Sequence, residues 1–266
     1  MEAASLSAKP EETKAERPVR VDSTLSKGLQ VLEALAKSKD GKGVTELSRE
    51  LDLTKSNTFR LLRTLTALGY VRNSDSKAYS ATMKIWQVGR SVVENLDLPK
   101  LAAPQMRMLS RETGEAIYLA VPDLFSVIYI DKIESTKPIR SWNPIGGSAP
   151  LHCVGTGKAL LAADYERLRD QMRGRLNKYT ERTITSMKRL DADVAATLER
   201  GYAIDTGEYR ERIFSFGAVV RLPNGRPVAA IGVSVPDVNL TEGREDEIGQ
   251  LVMRAADGVS EAVKNL

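Results

Sequence analysis

Cysteine and histidine are almost missing from this chain, whose 266 residues include one of each. A lone cysteine excludes an intrachain disulfide. Structural zinc usually takes four Cys or His ligands, so no zinc site is expected. A carboxylate-rich site for a harder metal stays open, and no cofactor or metal ligand is assigned.

Long apolar runs are also missing. No stretch of about 18 apolar residues is present, so a membrane-spanning helix is not expected. Residues 1–21 lack the apolar centre of a signal peptide. They are rich in Ala, Glu, Lys and Pro, which is typical of a disordered tail. These absences together favour a soluble, cytoplasmic protein.

Positive charge, by contrast, is present and concentrated near the amino end. Residues 20–90 hold 13 Lys and Arg against 7 Asp and Glu, whereas residues 91–266 hold 23 against 24. This is the charge distribution expected of a chain in which one module contacts phosphates.

Residues 44–71, VTELSRELDLTKSNTFRLLRTLTALGYV, predict two short amphipathic helices joined by a tight turn. Apolar residues recur at steps of three and four, Thr54 is placed to cap the second helix, and Gly69 is placed to end it. One side of that second helix is predicted to be apolar, with Phe59, Leu61, Leu62, Leu65 and Leu68. The other side is polar, with Ser56, Asn57, Arg60, Arg63 and Thr64.

The flanking segments complete a winged helix-turn-helix outline. An apolar pattern from Leu25 to Leu35 predicts a preceding helix, capped by Ser23 or Thr24, and residues 70–72 and 78–80 predict the paired strands of a wing. The second helix can then enter a DNA major groove. The candidate DNA contacts are Lys55, Ser56, Asn57, Thr58, Arg60, Arg63 and Lys77. The alternative is a small helical bundle whose charged stripe is only solvated.

The rest of the chain predicts a mixed α/β (α+β) architecture. Residues 22–81 are the expected DNA-binding domain, and residues 82–98 are a linker helix whose apolar face needs a cover, either a second copy of the chain or its own domain. Residues 99–266 alternate strand pairs with helices, and residues 223–226, Pro-Asn-Gly-Arg, give a strong hairpin turn. An antiparallel sheet with helices packed on it is therefore expected there.

Three groups of residues resemble catalytic motifs. GTGKAL at residues 155–160 fails as a phosphate loop, because the upstream glycine is missing and Ala159 stands where a Ser or Thr would bind magnesium. His152 and Cys153 are neighbours on an extended segment, so their side chains point apart, and a packed Cys with a satisfied His is expected. Asp205, Glu208 and Glu211 are expected to be solvated surface charges, and Trp142 is left open between a pocket border and an oligomer contact.

Several segments in order resemble the IclR family of bacterial transcriptional regulators. Besides the helix-turn-helix, they are ETGEAIYLAV at 112–121, PLHCVGTGKALLA at 150–162, GYAIDTGEY at 201–209 and RPVAAIGVSVP at 226–236. The resemblance implies a winged helix followed by a GAF-like effector domain, and a dimer or dimer of dimers on a roughly palindromic operator. It also implies a small organic or aromatic acid as effector.

By the same resemblance, the effector pocket includes Gly155, Thr156, Ser215, Gly232 and Ser234. Where well-known relatives carry Cys and Ser at two of these places, this chain has Ser215 and Gly232.

The residues themselves suggest that a carboxylate binds the free N–H groups where residues 155–157 open a helix. Leu119 and Ile231 would then face the rest of the ligand. The alternative is a tight structural turn that needs glycine for its geometry.

Three functions remain for comparison. The sequence favours a ligand-responsive transcriptional regulator, with repression preferred over activation. The second is a hydrolase whose N-terminal domain serves assembly. The third is an interaction module whose basic face binds an acidic protein.

Overall fold

The computed structural model describes residues 22–74, 78–94 and 98–264. These residues fall into two compact units that divide between Val92 and Val93, inside the predicted linker helix. The expected tail, residues 1–21, and the wing residue Lys77 lie outside the described residues. In the described ranges, no helix combines the length and the apolar character needed to cross a membrane.

The first unit is a winged helix, as the sequence predicted. Its helices are α1 (Ser23–Ala36), α2 (Val44–Glu50), α3 (Lys55–Ala67) and all but the last two residues of α4 (Lys84–Glu94). Its antiparallel hairpin pairs β1 (Val71–Asn73) with β2 (Tyr79–Ala81). The core between them is small and apolar, with Val31, Leu35, Leu47, Leu62 and Val71 buried. The α2–α3 pair is therefore held on a scaffold of its own.

Polar caps fix the two ends of α3. The Thr54 hydroxyl accepts the N–H of Asn57 at 3.3 Å, which confirms the predicted cap. At the other end Gly69 has φ +79°, the left-handed conformation that glycine adopts at low cost. The Lys84 ammonium donates to the carbonyl of Leu68 at 2.7 Å, so a positive charge lies at the carboxyl end of the helix.

Two details of this unit differ from the sequence prediction. Helix α1 is capped by Asp22, whose carboxylate accepts the N–H of Leu25, and not by Ser23 or Thr24. On α3, Leu61 and Leu62 are buried as expected, but Phe59 is 48% and Leu68 is 54% exposed. The apolar stripe of α3 is wider than the surface that α1 and α2 cover.

The second unit contains one six-stranded antiparallel sheet. Its strands are β3 (Ala116–Asp123), β4 (Ser126–Ile133), β5 (Ser148–Pro150), β6 (Ala203–Thr206), β7 (Ile213–Arg221) and β8 (Pro227–Pro236). They lie in the order β5-β4-β3-β8-β7-β6. The hairpin β7–β8 turns at residues 223–226 as predicted, whereas the short strands β5 and β6 were not predicted.

Helices cover both faces of this sheet. Helices α5 (Leu98–Thr113) and α9 (Arg244–Lys264) pack on one face. On the other face lie α6 (Gly155–Ala163), α7 (Tyr165–Leu168), a single 3₁₀ turn (Asp170–Met172) and α8 (Met187–Arg200). The helix that residues 155–157 were expected to open is thus α6, and a second short helix and a turn follow it.

Alternation along the strands decides which side chains reach which face. On β3, Ile117 and Leu119 point into the core with α5 and α9, while Tyr118 points to the α6 side. On β8, Ile231 also points into the α5–α9 core. The prediction that Leu119 and Ile231 line a ligand pocket is therefore wrong, because both lie on the opposite face of the sheet.

Candidate functional site

The exposed face of α3 carries most of the predicted DNA contacts. Lys55, Ser56, Arg60 and Arg63 are exposed, and Asn57 is half-buried. Arg60 Nη2 donates to the side-chain oxygen of Asn57 at 3.3 Å, which holds the two groups on the same side of the helix. This face is free of the domain core.

Thr58 does not belong to that face. It is fully buried, and its hydroxyl donates to the carbonyl of Thr54 at 3.1 Å. Its position in the sequence suggested a contact near the helix start, but the helix turns it toward the core. We therefore remove Thr58 from the candidate interface.

A small pocket opens in the second unit, between the amino end of α6 and the sheet. Its floor follows the strand register, because Ser234 on β8 pairs with Ser215 on β7, and Ser215 pairs with Asp205 on β6. In the neighbouring row, Tyr118 pairs with Gly232. Four of the five predicted effector residues line this pocket: Thr156, Ser215, Gly232 and Ser234.

Gly155 is buried and does not line the pocket. A Cβ on Gly155 would lie 2.8 Å from the backbone of Ser215 and Phe216, so α6 approaches β7 more closely than a side chain permits. This supports the structural interpretation of the glycine, which the sequence left open.

Gly232 has a related explanation. A Cβ at this position would lie 2.7 Å from Cγ2 of Thr156 and 2.7 Å from the carbonyl of Phe216. The Thr156 methyl therefore occupies the space into which a side chain at 232 would project. Gly232 adds no polar side chain to this wall, and the missing side chain makes room for Thr156 of α6.

A hydrogen-bond network at the inner end of the pocket centres on Asp205. One oxygen of the Asp205 carboxylate accepts the N–H groups of Gly207 and Glu208 at 2.9 and 2.7 Å. The other accepts the Ser215 hydroxyl at 2.7 Å, and Ser215 Oγ in turn accepts the N–H of Gly155 at 2.9 Å. Burial raises the pKa of Asp205 to about 6, although these donors and Lys158 oppose the shift.

Lys158 supplies the positive charge of the same buried region. It is 2% exposed and donates to Glu208 at 2.6 Å, with Asp193 at 2.9 Å. Burial acts to lower its pKa, but attraction to Glu208 and Asp193 outweighs burial, and the net shift is upward. Burial raises the pKa of Glu208 to about 7.

The prediction that Asp205 and Glu208 are solvated surface charges is therefore wrong; Glu211 is exposed as expected. Sequence reasoning missed this cluster because its members come from two helices and the β6–β7 connection. For the part of the chain that the structure describes, no group of three or more His, Cys, Asp or Glu side chains could hold a metal ion.

A segment between β4 and β5, residues 134–147, reaches the mouth of the pocket. The Ser234 hydroxyl donates to Ser141 at 2.8 Å, and the Tyr118 hydroxyl accepts the N–H of Asn143 at 3.0 Å. The free volume of the pocket is about 30 Å³, which is room for one or two water molecules. A larger ligand has to displace part of this segment or the side chains beneath it.

Trp142 itself is 57% exposed. It contributes its backbone carbonyl to the pocket mouth, where that oxygen accepts Nη1 of Arg210 at 2.9 Å. The indole does not line the pocket, whose border is formed by Ser141 and Asn143; of the two roles that the sequence left open for Trp142, the pocket border is therefore excluded for its side chain.

His152 and Cys153 do not form a nucleophile–base pair. His152 is buried, and Nε2 lies 3.1 Å from the carbonyl of Asn177. Cys153 is fully buried, and burial raises the pKa of its thiol, which disfavours the reactive thiolate. The expectation of a packed cysteine and a satisfied histidine is confirmed, and the hydrolase alternative loses its candidate nucleophile.

Comparison with known proteins gives matches over most of the chain. A family model described as the IclR helix-turn-helix domain matches residues 24–75. A second, described as the C-terminal domain of the bacterial transcriptional regulator IclR, matches residues 90–261.

Two curated relatives are similar over nearly their whole length. The HTH-type transcriptional regulator KdgR of Escherichia coli (strain K12) is 35% identical over 247 residues, covering 92% of this chain and 93% of the relative. The transcriptional repressor IclR of the same strain is 34% identical over 242 residues, covering 89% and 88%.

A solved structure shares the fold. An IclR homologue from Microbacterium hydrocarbonoxydans, complexed with 4-hydroxybenzoate, gives a TM-score of 0.78 at 20% identity, over 92% of this chain and 100% of that chain.

Proposed function

This chain belongs to the IclR family of bacterial transcriptional regulators, and we propose that it is a repressor controlled by a small organic or aromatic acid. Proteins of this family are transcription factors and not enzymes, so the hydrolase alternative is set aside. In this proposal residues 22–81 bind operator DNA, residues 82–98 link, and residues 99–266 bind the effector.

The exposed polar face of α3 carries the DNA-binding part of the proposal. Arg60 and Arg63 present guanidinium groups that match the acceptor edge of guanine or a phosphate. Ser56 and Asn57 lie near the start of the helix, where major-groove readers make base contacts. Lys55 is placed to bind a phosphate, and Lys77 is proposed for the same role on sequence grounds alone.

The pocket of the second unit carries the effector part. Hydroxyl groups from Thr156, Ser215 and Ser234 meet there with two tyrosines, Tyr118 and Tyr129, whose ring centroids are 5.0 Å apart. Polar groups on one wall and rings on another fit a small acid with an apolar or aromatic body. The 4-hydroxybenzoate bound by a neighbour of the same fold supports this class and provides a probe.

Exposed apolar side chains of the first unit support a homo-oligomer. Leu25 and Leu29 on α1 are 65% and 50% exposed, and Met83, Trp86 and Val88 at α4 are 68%, 55% and 50% exposed. A second copy of the chain would bury such surfaces, and a dimer or a dimer of dimers would match a palindromic operator. As a regulator of bacterial DNA, the protein would act in the cytoplasm.

A gel-shift assay with DNA from upstream of the protein's own gene tests the proposal. We expect binding that falls steeply with salt and is altered by carboxylic acids that also raise the melting temperature of the protein. If unrelated DNA competed for the protein as strongly as the upstream DNA itself, binding would not be sequence-specific. Binding to acidic proteins in place of DNA would favour the interaction-module alternative.

A further inference from the structure

Arg210 lies at the mouth of the pocket with a charge that has no carboxylate partner among the described residues. Its side chain is exposed and lines the pocket. Nη1 donates to the backbone carbonyl of Trp142 at 2.9 Å, and the guanidinium lies 5.7 Å from the centroid of the Tyr209 ring. A neutral carbonyl is a weaker partner for a guanidinium than a carboxylate, so Arg210 is available to an anion.

The inner end of the pocket has the opposite character. The Asp205 carboxylate is 2% exposed and stands where a ligand would meet Ser215. The N–H of Gly155, at the start of α6, is already bound to Ser215 Oγ. A second carboxylate there would be repelled by Asp205, so an acid group is better placed at the mouth, away from Asp205.

Asp205 does retain room for a donor. An ionised carboxylate offers about four acceptor positions, and three are taken, by Gly207, Glu208 and Ser215. The inner end is therefore suited to a hydroxyl or another donor group, and the mouth is suited to an acid.

We infer that Arg210 recognises the carboxylate of the effector at the pocket mouth, while Asp205 accepts a hydroxyl hydrogen at the inner end. This arrangement selects hydroxy-carboxylic acids over simple acids of the same size. The inference rests on the proposed function and specifies which end of the same pocket holds the acid group.

The bond between Arg210 and Trp142 also gives binding a structural consequence. Segment 134–147 is tied to the pocket through Arg210, Ser234 and Tyr118. When Arg210 turns to a ligand carboxylate, the carbonyl of Trp142 loses its donor. One of these three side-chain hydrogen bonds is then released.

Calorimetric titration of the full-length protein tests the inference with two matched sets of probes. The aromatic set is 4-hydroxybenzoate, benzoate and 4-hydroxybenzamide, and the aliphatic set is 4-hydroxybutyrate, butyrate and 4-hydroxybutyramide. Each set removes either the hydroxyl or the negative charge. The variants are Arg210→Gln and Asp205→Asn, with Arg212→Gln as the matched control, because Arg212 pairs with Asp237 outside the pocket.

We expect at least one hydroxy acid to bind the wild-type protein more tightly than the simple acid and the amide of the same set. Arg210→Gln should weaken that hydroxy acid about 10- to 100-fold, the usual worth of a hydrogen bond to a charged group, and leave the amide unchanged. Asp205→Asn should reduce the difference in affinity between the hydroxy acid and the simple acid. Arg212→Gln should bind all probes as the wild-type protein does.

Four results would overturn the inference. Equal binding of acids by Arg210→Gln and the wild-type protein would remove Arg210 from recognition while leaving the proposed function intact. If Arg210→Gln and Arg212→Gln lost the same affinity for the acids, the arginines would act only by long-range attraction of the negative charge. No binding of either hydroxy acid by the wild-type protein, with other organic acids still altering operator binding, would remove the hydroxy-acid class alone; no response to any acid would overturn the proposed function too.

Discussion

The candidate DNA contacts of helix α3 come from nine consecutive residues, 55–63, whereas the residues that line the pocket are spread between Tyr118 and Ser234. The α3 face is open and its arginines carry their charge into solvent. The pocket has a free volume of only about 30 Å³, and the carboxylate at its inner end, Asp205, is held by hydrogen bonds from Gly207, Glu208 and Ser215. One surface is ready for a large partner, and the other has to rearrange for a small one.

The difference teaches how charge is used in the two regions. On α3, Arg60 lies beside a neutral amide at 3.3 Å, so most of its charge is available to a polyanion. Beneath the pocket, Lys158 is surrounded by Glu208, Asp193 and the carbonyl of Ile204. The first arrangement serves recognition, and the second stabilises the turn after β6 that carries Glu208.

Lys158→Ala should therefore have the largest effect on stability. Removing one partner from a buried ion pair costs about 3–5 kcal/mol, because the other partner stays buried with its charge. We expect such a loss in the free energy of unfolding at pH 8, measured by denaturant titration. Lys188→Ala, an exposed lysine on α8, is the control and should change little. A loss below about 1 kcal/mol in Lys158→Ala would mean that the cluster contributes no net stability.

The same contrast explains what could be predicted from the sequence. The α3 face, its Thr54 cap and its Gly69 end follow from local periodicity, which a sequence displays directly. Lys158, Asp205 and Ser215 are far apart in the chain and meet only because β6 pairs with β7 and α6 packs across them. Register and close approach between elements leave no periodic signal, so Ser215, Gly232 and Ser234 were assigned to the pocket through family resemblance.

Thr58 and Phe59 show the limit of periodicity even on a well-predicted helix. The wheel separates a polar half from an apolar half, but the buried sector is set by how much surface α1 and α2 provide. In the structure Thr58 falls inside that sector and Phe59 falls outside it. Polarity predicted the opposite for both residues.

Arg60→Ala should have the next largest effect, on DNA rather than on stability. Loss of a base contact should cost about 1–3 kcal/mol of operator affinity and relax specificity at one base pair. Fluorescence anisotropy with operator and mismatched DNA at fixed salt measures both. Arg254→Ala removes the same charge from an exposed position on α9; equal losses in the two variants would indicate general charge attraction and not reading of a base.

Asp205→Asn should change how stability depends on pH. Burial raises the folded-state pKa of Asp205 to about 6, above the ordinary value for an aspartate. The contribution of Asp205 to the free energy of unfolding is therefore fully present at low pH and is lost as the pH rises through about 6. Glu208, with a pKa raised to about 7, and Lys158 and Asp193 face the same cluster. As the pH rises from 4 to 7, the stability of Asp205→Asn relative to the wild-type protein should therefore increase by on the order of 1–2 kcal/mol.

Denaturant titrations at several pH values measure this difference. Asp257→Asn, an exposed aspartate on α9, should run parallel to the wild-type protein. If the gap between Asp205→Asn and the wild-type protein stays constant with pH, the carboxyl titrates at its ordinary pKa and burial does not control it.

Thr58→Val should have the smallest effect and separates the two regions most directly. The substitution keeps the shape of a buried side chain but removes the hydroxyl that donates to the Thr54 carbonyl, which should cost about 0.5–1.5 kcal/mol of stability. Operator affinity per folded molecule should stay within about twofold, because a fully buried hydroxyl cannot meet DNA. Unchanged stability with a large loss of affinity would return Thr58 to the DNA-contacting surface, and would mean that α3 binds in an orientation different from the one its exposed face indicates.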